Sequence, residues 1–600
     1  MANLVRPINK LPPVVDQIIE FKGLDRRAVV PDGAMADMLN LTSDNYPILS
    51  VRKPRGDVAM PSGAVRPIQI MAKHGKNCLI AADGEDTVNF YYDGNKVNAV
   101  TGLTSASHMV AINNKVCFFP QKTYLELFRN DDTVTIGQFG SLESSVFVNE
   151  KTVDISSGTS AKITMSAGHG FSYDDALNIT GTLAYTQNGS AKTMQCNVSC
   201  IVESVENTNT LVLPYETFIE MIGEGATGIT LTGTVSRTMP DLDFVIEWNN
   251  RLWGVSNADN TIYACKLGDP KNWQYFQGAS LDSYYAQQGT DGLWTAVGEY
   301  SNHIIFFKED SMARVYGSSP SSFQITNAKC FGVETNSSKS VVTINDVVFY
   351  KSKIGIMAYY GNSPVCISDN LNEKSRNAVA GTEGRKYYVS LQRESGGYEL
   401  LVYDTDLKVW HKEDSTRMRS TSMIKNTLYY IEYDSDVLVC DAPEAICSKW
   451  LLCCGGVLSG DIKTIGSDRT TEEFGSLEWM AEFGPFDEYY ENKKIYSRIS
   501  LRLMPRKDIT GTDLGNEDNE VLVTEDDISI GIDRWLKVYI SLDEGEWELV
   551  QTYEPPEIGG EIIPIIPRRC DRYSIRLEGR GECSIKSLSR RFRAGTFGKL

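Results

Sequence analysis

Five histidines (His74, His108, His169, His303 and His411) are where acid–base or metal chemistry would start in this 600-residue chain. No two stand at i, i+4 and there is no H-E-x-x-H, so a helix-borne zinc pair is absent. His169 lies in AGHGFSYDD, where it is expected to shape an exposed turn. The thirteen cysteines are scattered, and most fall in strand-like runs, as small buried apolar residues of a reducing compartment do. Two groups stand out. Cys196 and Cys200 are four apart in CNVSC, and Cys440, Cys447, Cys453 and Cys454 fall within one short segment. Structural zinc asks for two close C-x2-4-C pairs. The second group lacks that pairing and has no His nearby, so no metal or other cofactor is expected.

Carboxylates come next. FGPFDEYYENKK sets Asp487 beside Glu488, but acids in a turn are usually just solvated. DLGNEDNEVLVTEDD gathers Asp513, Glu517, Asp518, Glu520, Glu525, Asp526 and Asp527 without a base. The calcium-loop spacing D-x-[DN]-x-[DN]-G is missing, and the stretch reads as a solvated hairpin tip. SLDEGEW approaches the S-x-D-x-G-x-x-W turn that sialidase propellers repeat, one residue short at Trp547, and it occurs once. No phosphate-cradling GxxxxGK[ST] loop and no G-x-S-x-G elbow is present. The expectation is a chain that is not an enzyme.

The elements around these residues repeat. EWNNRLWGVSNADNTIYAC has two short strands, Arg251 to Val255 and Thr261 to Cys265, about the turn SNADN. The same grammar returns in INNKVCFFPQKTYLELF, YSNHIIFFKEDSMARVYG, INDVVFYKSKIGIMAYYG and IKNTLYYIEYDSDVLVCD, with looser copies at 74–94 and 383–404. Repeats of two or more strands, recurring every few tens of residues, are what propeller blades look like. A blade cannot cover both faces of its own sheet, so Trp253 and Tyr263 are expected to pack between blades. Helical signal is sparse. The fold expected is all-β, a propeller of six or seven blades with an inserted β-sandwich or barrel and a C-terminal β-rich domain.

Residues 1–60 read as an N-terminal arm, with one short helix possible at Asp32–Leu41 under an Asp32 cap. The propeller is expected over 61–140 and 241–445. The Thr-, Ser- and Gly-rich segment 141–240 is expected to be a β domain inserted between blades, with its two ends close together. Residues 456–600 form the C-terminal unit, a platform or sandwich.

The formal charge is −19. That excludes wrapping of nucleic acid, which needs basic surface, but a negative wall lets a duplex slide past without sticking. MANLVRPINKLPP has no apolar core of a secretory signal, and no run reaches the roughly 18 apolar residues of a membrane helix. Folding in a cytoplasm without membrane insertion is expected.

Several stretches resemble one family. LDRRAVVPDGAMADMLNLTSDNYPILSVRKPR resembles the opening of tailed-phage virion proteins, with Asp37, Asn40 and the pair Arg52 and Arg55. RLWGVSNADNTIYACKLGDPKNW resembles a blade of phage propeller proteins that ends in G-D-P-x-x-W. AGHGFSYDDALNITG resembles the H-G-[FL]-x-x-G-D turn of phage β-domain insertions, with Asp174 where Gly is usual. The family is the tail nozzle, or tubular B, proteins of short-tailed phages and the related head–tail DNA-stabilisation proteins. The resemblance implies a structural virion protein of the tail or neck, a ring homo-oligomer, commonly a hexamer, around the DNA channel. It also implies portal, neck or adaptor rings and other tail proteins as partners, with genomic DNA passing through unread. Arg26, Arg27, Arg52, Arg55, Arg591 and Arg593 are expected at subunit interfaces, since the guanidinium fork suits carboxylates and this chain is rich in them. The alternative is a glycan-binding or glycan-degrading tail or baseplate component with 141–240 as its binding module.

Overall fold

The structure, a computed structural model, describes residues 12–83, 87–130, 133–166, 168–433, 460–467, 470–472, 476–487, 493–503, 535–553 and 560–594. Among them the fold is all-β: a β-propeller with an inserted β domain and a C-terminal β-rich domain. Seven antiparallel sheets have four strands each. Six follow one another at 66–96, 108–141, 244–287, 294–329, 342–366 and 375–412. The seventh joins Met418–Ile424, Thr427–Tyr433 and Gly460–Ile465 to Gly56–Val58 as its last strand. The chain divides into two compact units. One is 61–353 with 359–364, and the other is 1–60, 354–358 and 365–600.

Polar turns set the hairpins. Trp248 pairs with Arg251, Ile344 with Val347 and Ile424 with Thr427, leaving loops of two residues. Both loop residues have positive φ in each: Asn249 and Asn250, Asn345 and Asp346, Lys425 and Asn426. Such mirror-image turns match the right-handed twist of paired strands, and Asn and Asp tolerate them best. Alternate strand residues then face opposite neighbours. Trp253 and Val255 of the third sheet share a core with Trp294, Ile304 and Phe306 of the fourth. Leu252, half-buried Tyr263 and Cys265 pack instead with Ile112, Cys117 and Phe119 of the second. Trp253 is fully buried, with its ring 5.0 Å from that of Phe323.

The segment after the second sheet forms a sheet of seven strands with one short helix, Glu216–Ile222. Its first strand, Ser144–Asp154, serves both halves, pairing with Thr227–Arg237 along one stretch and with Ser160–Thr164 along the other. Ser144 is the register partner of Arg237, so the ends of the insertion are neighbours.

Residues 12–60 are built into larger sheets rather than standing apart as an arm. Val14–Ile18 pairs with Ser584–Ala594, and Leu49–Val51 pairs with that same strand. Asp37–Leu39 pairs with Glu478–Phe486 in the second sheet of the C-terminal domain. Met38 and Leu24 are fully buried, and the Phe21 ring lies 5.9 Å from that of Phe483. The helix expected over Asp32–Leu41 is absent. That stretch contains this strand instead, because its backbone groups find a sheet edge in residues more than four hundred positions away.

Candidate functional site

Two of the stretches singled out in the sequence, AGHGFSYDD and GDPKNW, meet in space and form one polar joint between the inserted domain and the third sheet. Arg251 prepares the second. Its guanidinium, almost fully buried, donates to the carbonyls of Cys265 at 2.7 Å, Asp282 at 2.6 Å and Ser280 at 2.8 Å. That pins the long loop between Thr261–Ala264 and Tyr284–Gln287. Within the loop the Trp273 indole donates to the Pro270 carbonyl at 2.8 Å. Asn272, with no exposed surface, donates from its amide nitrogen to an Asp269 oxygen at 2.6 Å.

The partner turn is held by His169, which is buried rather than exposed. Its Nδ1 accepts the Phe171 N–H at 3.1 Å, so Nε2 carries the proton and donates to the Asn207 carbonyl at 3.2 Å. Burial holds its pKa below the ordinary value, and the imidazole is neutral. The expectation of a turn-shaping His holds, but its placement on the surface does not, because the ring is stacked on Phe171 and both nitrogens are used inside. Asp174 has φ +68°, a left-handed conformation that glycine adopts most easily. As an aspartate it adds a carboxylate, which takes the Lys266 ammonium and the Tyr275 hydroxyl, the latter at 2.9 Å. Burial and this carboxylate push the Tyr275 hydroxyl up to about 12.

Asp175 closes the joint. It pairs with Arg237, both buried, and takes the Ser172 N–H at 2.8 Å, Asn272 Nδ2 at 3.1 Å and Lys271 at 3.5 Å. Asn272 Oδ1 in return accepts the Ala176 N–H at 2.8 Å. The cations and carboxylates answer one another across the two turns. Such a cluster fixes the inserted domain against the third sheet. Sequence reading flagged the two turns, but not that Asp175, Arg237, Arg251 and Asn272 are the residues that join them. The signal was the conjunction of RLW with GDPxxW.

The six arginines are placed differently from one another. Arg52 and Arg55 are spent inside the chain and are corrected as interface residues. Arg52 pairs with Glu472 at 2.8 Å, and Arg55 with Glu413 at 2.7 Å and Asp414 at 2.8 Å. The physical reason is that carboxylates distant in sequence, brought over by folding, fill both forks. Arg26 is likewise engaged, with Glu399 and Glu373 at 2.8 Å each. Arg27, paired with Asp25, is 54% exposed. Arg591 is half-buried and Arg593 exposed, both on Ser584–Ala594.

Asp487 is exposed. Glu488, the acids Asp513, Glu517, Asp518, Glu520, Glu525, Asp526 and Asp527, and the group Cys440, Cys447, Cys453 and Cys454 lie outside the described residues. Cys196 is a buried free thiol and Cys200 a half-buried one. Among the described residues no three His, Cys, Asp or Glu side chains are grouped to hold a metal, and no helix is long and apolar enough to cross a membrane. SLDEGEW is a tight turn, with Asp543 and Glu544 at positive φ and Ser541 Oγ donating to the Gly545 carbonyl at 2.7 Å.

No protein-family model and no curated protein matches the chain. Among solved structures it is similar to a phage phi92 endosialidase, at 11% identity over 85% of each chain and a TM-score of 0.26. It is also similar to the β-propeller domain of the trilobed protease from Pyrococcus furiosus, at 11% identity over 54% of this chain and 91% of that one, TM-score 0.22. Kluyveromyces lactis Hsv2 matches at 7% identity over 58% and 98%, TM-score 0.23. These are likenesses of small repeated sheets, and no residue role is taken from them.

Proposed function

We propose that this chain is a structural virion protein of a tailed bacteriophage, a ring-forming component of the tail nozzle or head–tail neck that extends the DNA channel and helps retain and eject the genome. The observation that carries the reading is the joint itself. Two stretches that resemble phage tail proteins independently, about a hundred residues apart, fold into one ion-paired clamp that fixes the inserted domain on a blade. A conduit protein needs such fixed joints more than it needs a reactive centre. The acidic balance, −19 per chain, suits a lumen past which DNA slides without adhering. It also opposes self-assembly at low salt, since exposed charges repel over about 10 Å at 0.1 M ionic strength. Arg27 and Arg593, the exposed pair of the six, are the ones left to reach a neighbouring copy.

Sedimentation and negative-stain imaging of the purified full chain from 0.05 to 0.5 M NaCl (roughly a threefold change in screening length) test this. Rings, commonly six-fold, are expected to gain population with salt, and Arg27→Glu with Arg593→Glu should suppress them. A chain that stays monomeric at every salt and protein concentration, alone and with portal or neck rings, would sink the proposal.

A further inference from the structure

On the third sheet, away from the joint's ion pairs, three aromatic rings form a surface cluster. Tyr285 is 61% exposed and Phe276 48%. Their rings lie 5.8 Å apart, edge to face. Tyr263, the register partner of Tyr285 and half-buried, has its ring 6.4 Å from it. Single exposed rings are ordinary, but a contiguous exposed cluster of them marks a contact surface. Tyr263 and Tyr285 are presented by the last two strands of the sheet and Phe276 by the loop that joins them.

What surrounds the rings decides the ligand. Asp259 accepts the Tyr263 hydroxyl at 2.5 Å, which fixes that ring. Gln287 Nε2 donates to the Asp259 carbonyl at 3.2 Å, and Gln277 Nε2 to the Phe276 carbonyl at 3.1 Å. Both amides keep a side-chain oxygen as acceptor for a ligand. The stretch QYFQGASLDSYYAQQ, 274–288, holds four glutamines and one charged residue, Asp282, which is buried. An interface for another protein would flank its rings with aliphatic side chains and arginine. Nucleic acid would ask for cations beside the stacking rings. Neutral amides and a carboxylate between exposed aromatics match instead an uncharged, hydroxyl-rich polymer. The apolar C–H faces of sugar rings cover the aromatics, while their hydroxyls donate to the glutamine and aspartate oxygens. We propose that Tyr263, Phe276 and Tyr285, with Asp259, Gln277 and Gln287, form a binding surface for a neutral polysaccharide. This is independent of the ring reading, and it puts glycan contact on a blade rather than in the inserted domain.

Affinity electrophoresis of the full chain tests it, in gels cast with dextran or with lipopolysaccharide carrying a neutral O-chain, and with polysialic acid as the anionic counterpart. Retardation is expected in at least one neutral gel and not in polysialic acid. Tyr285→Ala with Phe276→Ala should weaken it at least tenfold, at an unchanged Tm because both side chains are exposed. Tyr285→Phe, which keeps the ring, should retain most of it. Absence of retardation in every neutral gel overturns the proposal, as does equal retardation of the double variant. So does a double variant whose change is instead a loss of self-association in sedimentation, which would make the cluster a contact between copies of this chain.

Discussion

Arg55 shows how a side chain's partners outrank its type. Its fork holds Glu413 and Asp414, and its guanidinium sits 5.8 Å from the Tyr430 ring centre. Arg55→Ala takes the nearer cation from Glu413 and Asp414 and leaves them only Arg52, at 3.8 and 3.7 Å, which costs about 3 kcal/mol. Arg27→Ala removes a half-exposed guanidinium from the buried Asp25 carboxylate, which keeps the Arg27 backbone N–H, and should cost less than Arg55→Ala. Urea unfolding of the two variants checks the contrast, and equal losses would show that the cluster around Arg55 is solvated. Two other groups in the same unit govern pH behaviour with opposite sign. Burial pushes the His411 imidazole down to about 3 and the Glu383 carboxyl up to about 7. For His411, Lys386 adds to the depression while Asp404 and Asp44 oppose it. Its native form refuses a proton that the unfolded chain accepts below about 6.5, so stability is lost as pH falls from there toward 3, at up to about 1.4 kcal/mol per pH unit. Native Glu383 instead keeps a proton that the unfolded chain has released above about 4.5, so its contribution worsens as pH rises through 7. Glu383→Gln should therefore raise Tm at pH 8 and leave it unchanged at pH 4, and His411→Gln should flatten the acid fall. A Glu383→Gln variant that melts lower than the parent at pH 8 would contradict this account.

Among the elements, the inserted domain is the most separable. Ser144 and Arg237 are paired neighbours, so a two- to four-residue Gly/Ser link can replace 144–237 without straining the flanking sheets. The cut must stay inside Leu142 and Met239, which are buried with Phe119, Leu252 and Trp273 in the core between the second and third sheets. That shortened chain should remain folded and soluble, with its strand signal by circular dichroism intact. A deletion taking 141–240 should melt lower, because it opens that core. The joint also predicts asymmetry. Asp175→Ala leaves Arg237 buried without its partner and should destabilise the full chain by about 3 kcal/mol or more. In the shortened chain Asp175 and Arg237 are both gone, and Lys266 is left near water at little cost.

At the scale of the whole chain, the first sixty residues tie the seventh sheet to the C-terminal domain. Gly56–Val58 completes that sheet on Gly460–Ile465, and the strands before it are built into both sheets of the C-terminal domain. Removing 1–60 should leave insoluble protein rather than a propeller without an arm, since three sheets would lose strands and the face against Phe483 would be uncovered. Supplying residues 1–60 as a separate peptide during refolding should restore soluble protein. Soluble, cooperatively melting protein from the truncated gene alone would show that those strands are dispensable.

Local information was enough for the hairpins. Pairs such as Asn249–Asn250 and Asn345–Asp346 dictate a tight reversal, and alternating aromatic and β-branched residues dictate strands with two buried faces, so an all-β propeller with an insertion was legible from the chain. Partners were not. Whether Arg52 met a neighbouring subunit or Glu472, whether Asp37–Leu39 formed a helix or paired with Glu478–Phe486, and whether His169 faced water or the Asn207 carbonyl depended on groups tens to hundreds of residues away. The aromatic surface around Tyr285 is of the same kind, since WQYFQ and SYYAQQ read alike whether their rings end in a core or in solvent. A periodic pattern tells a residue which way to point relative to its neighbours in the chain. Only the packed sheets determine what stands there to meet it, because ion pairs, buried imidazoles and exposed rings draw their energies from contacts that exist once distant strands have been brought together.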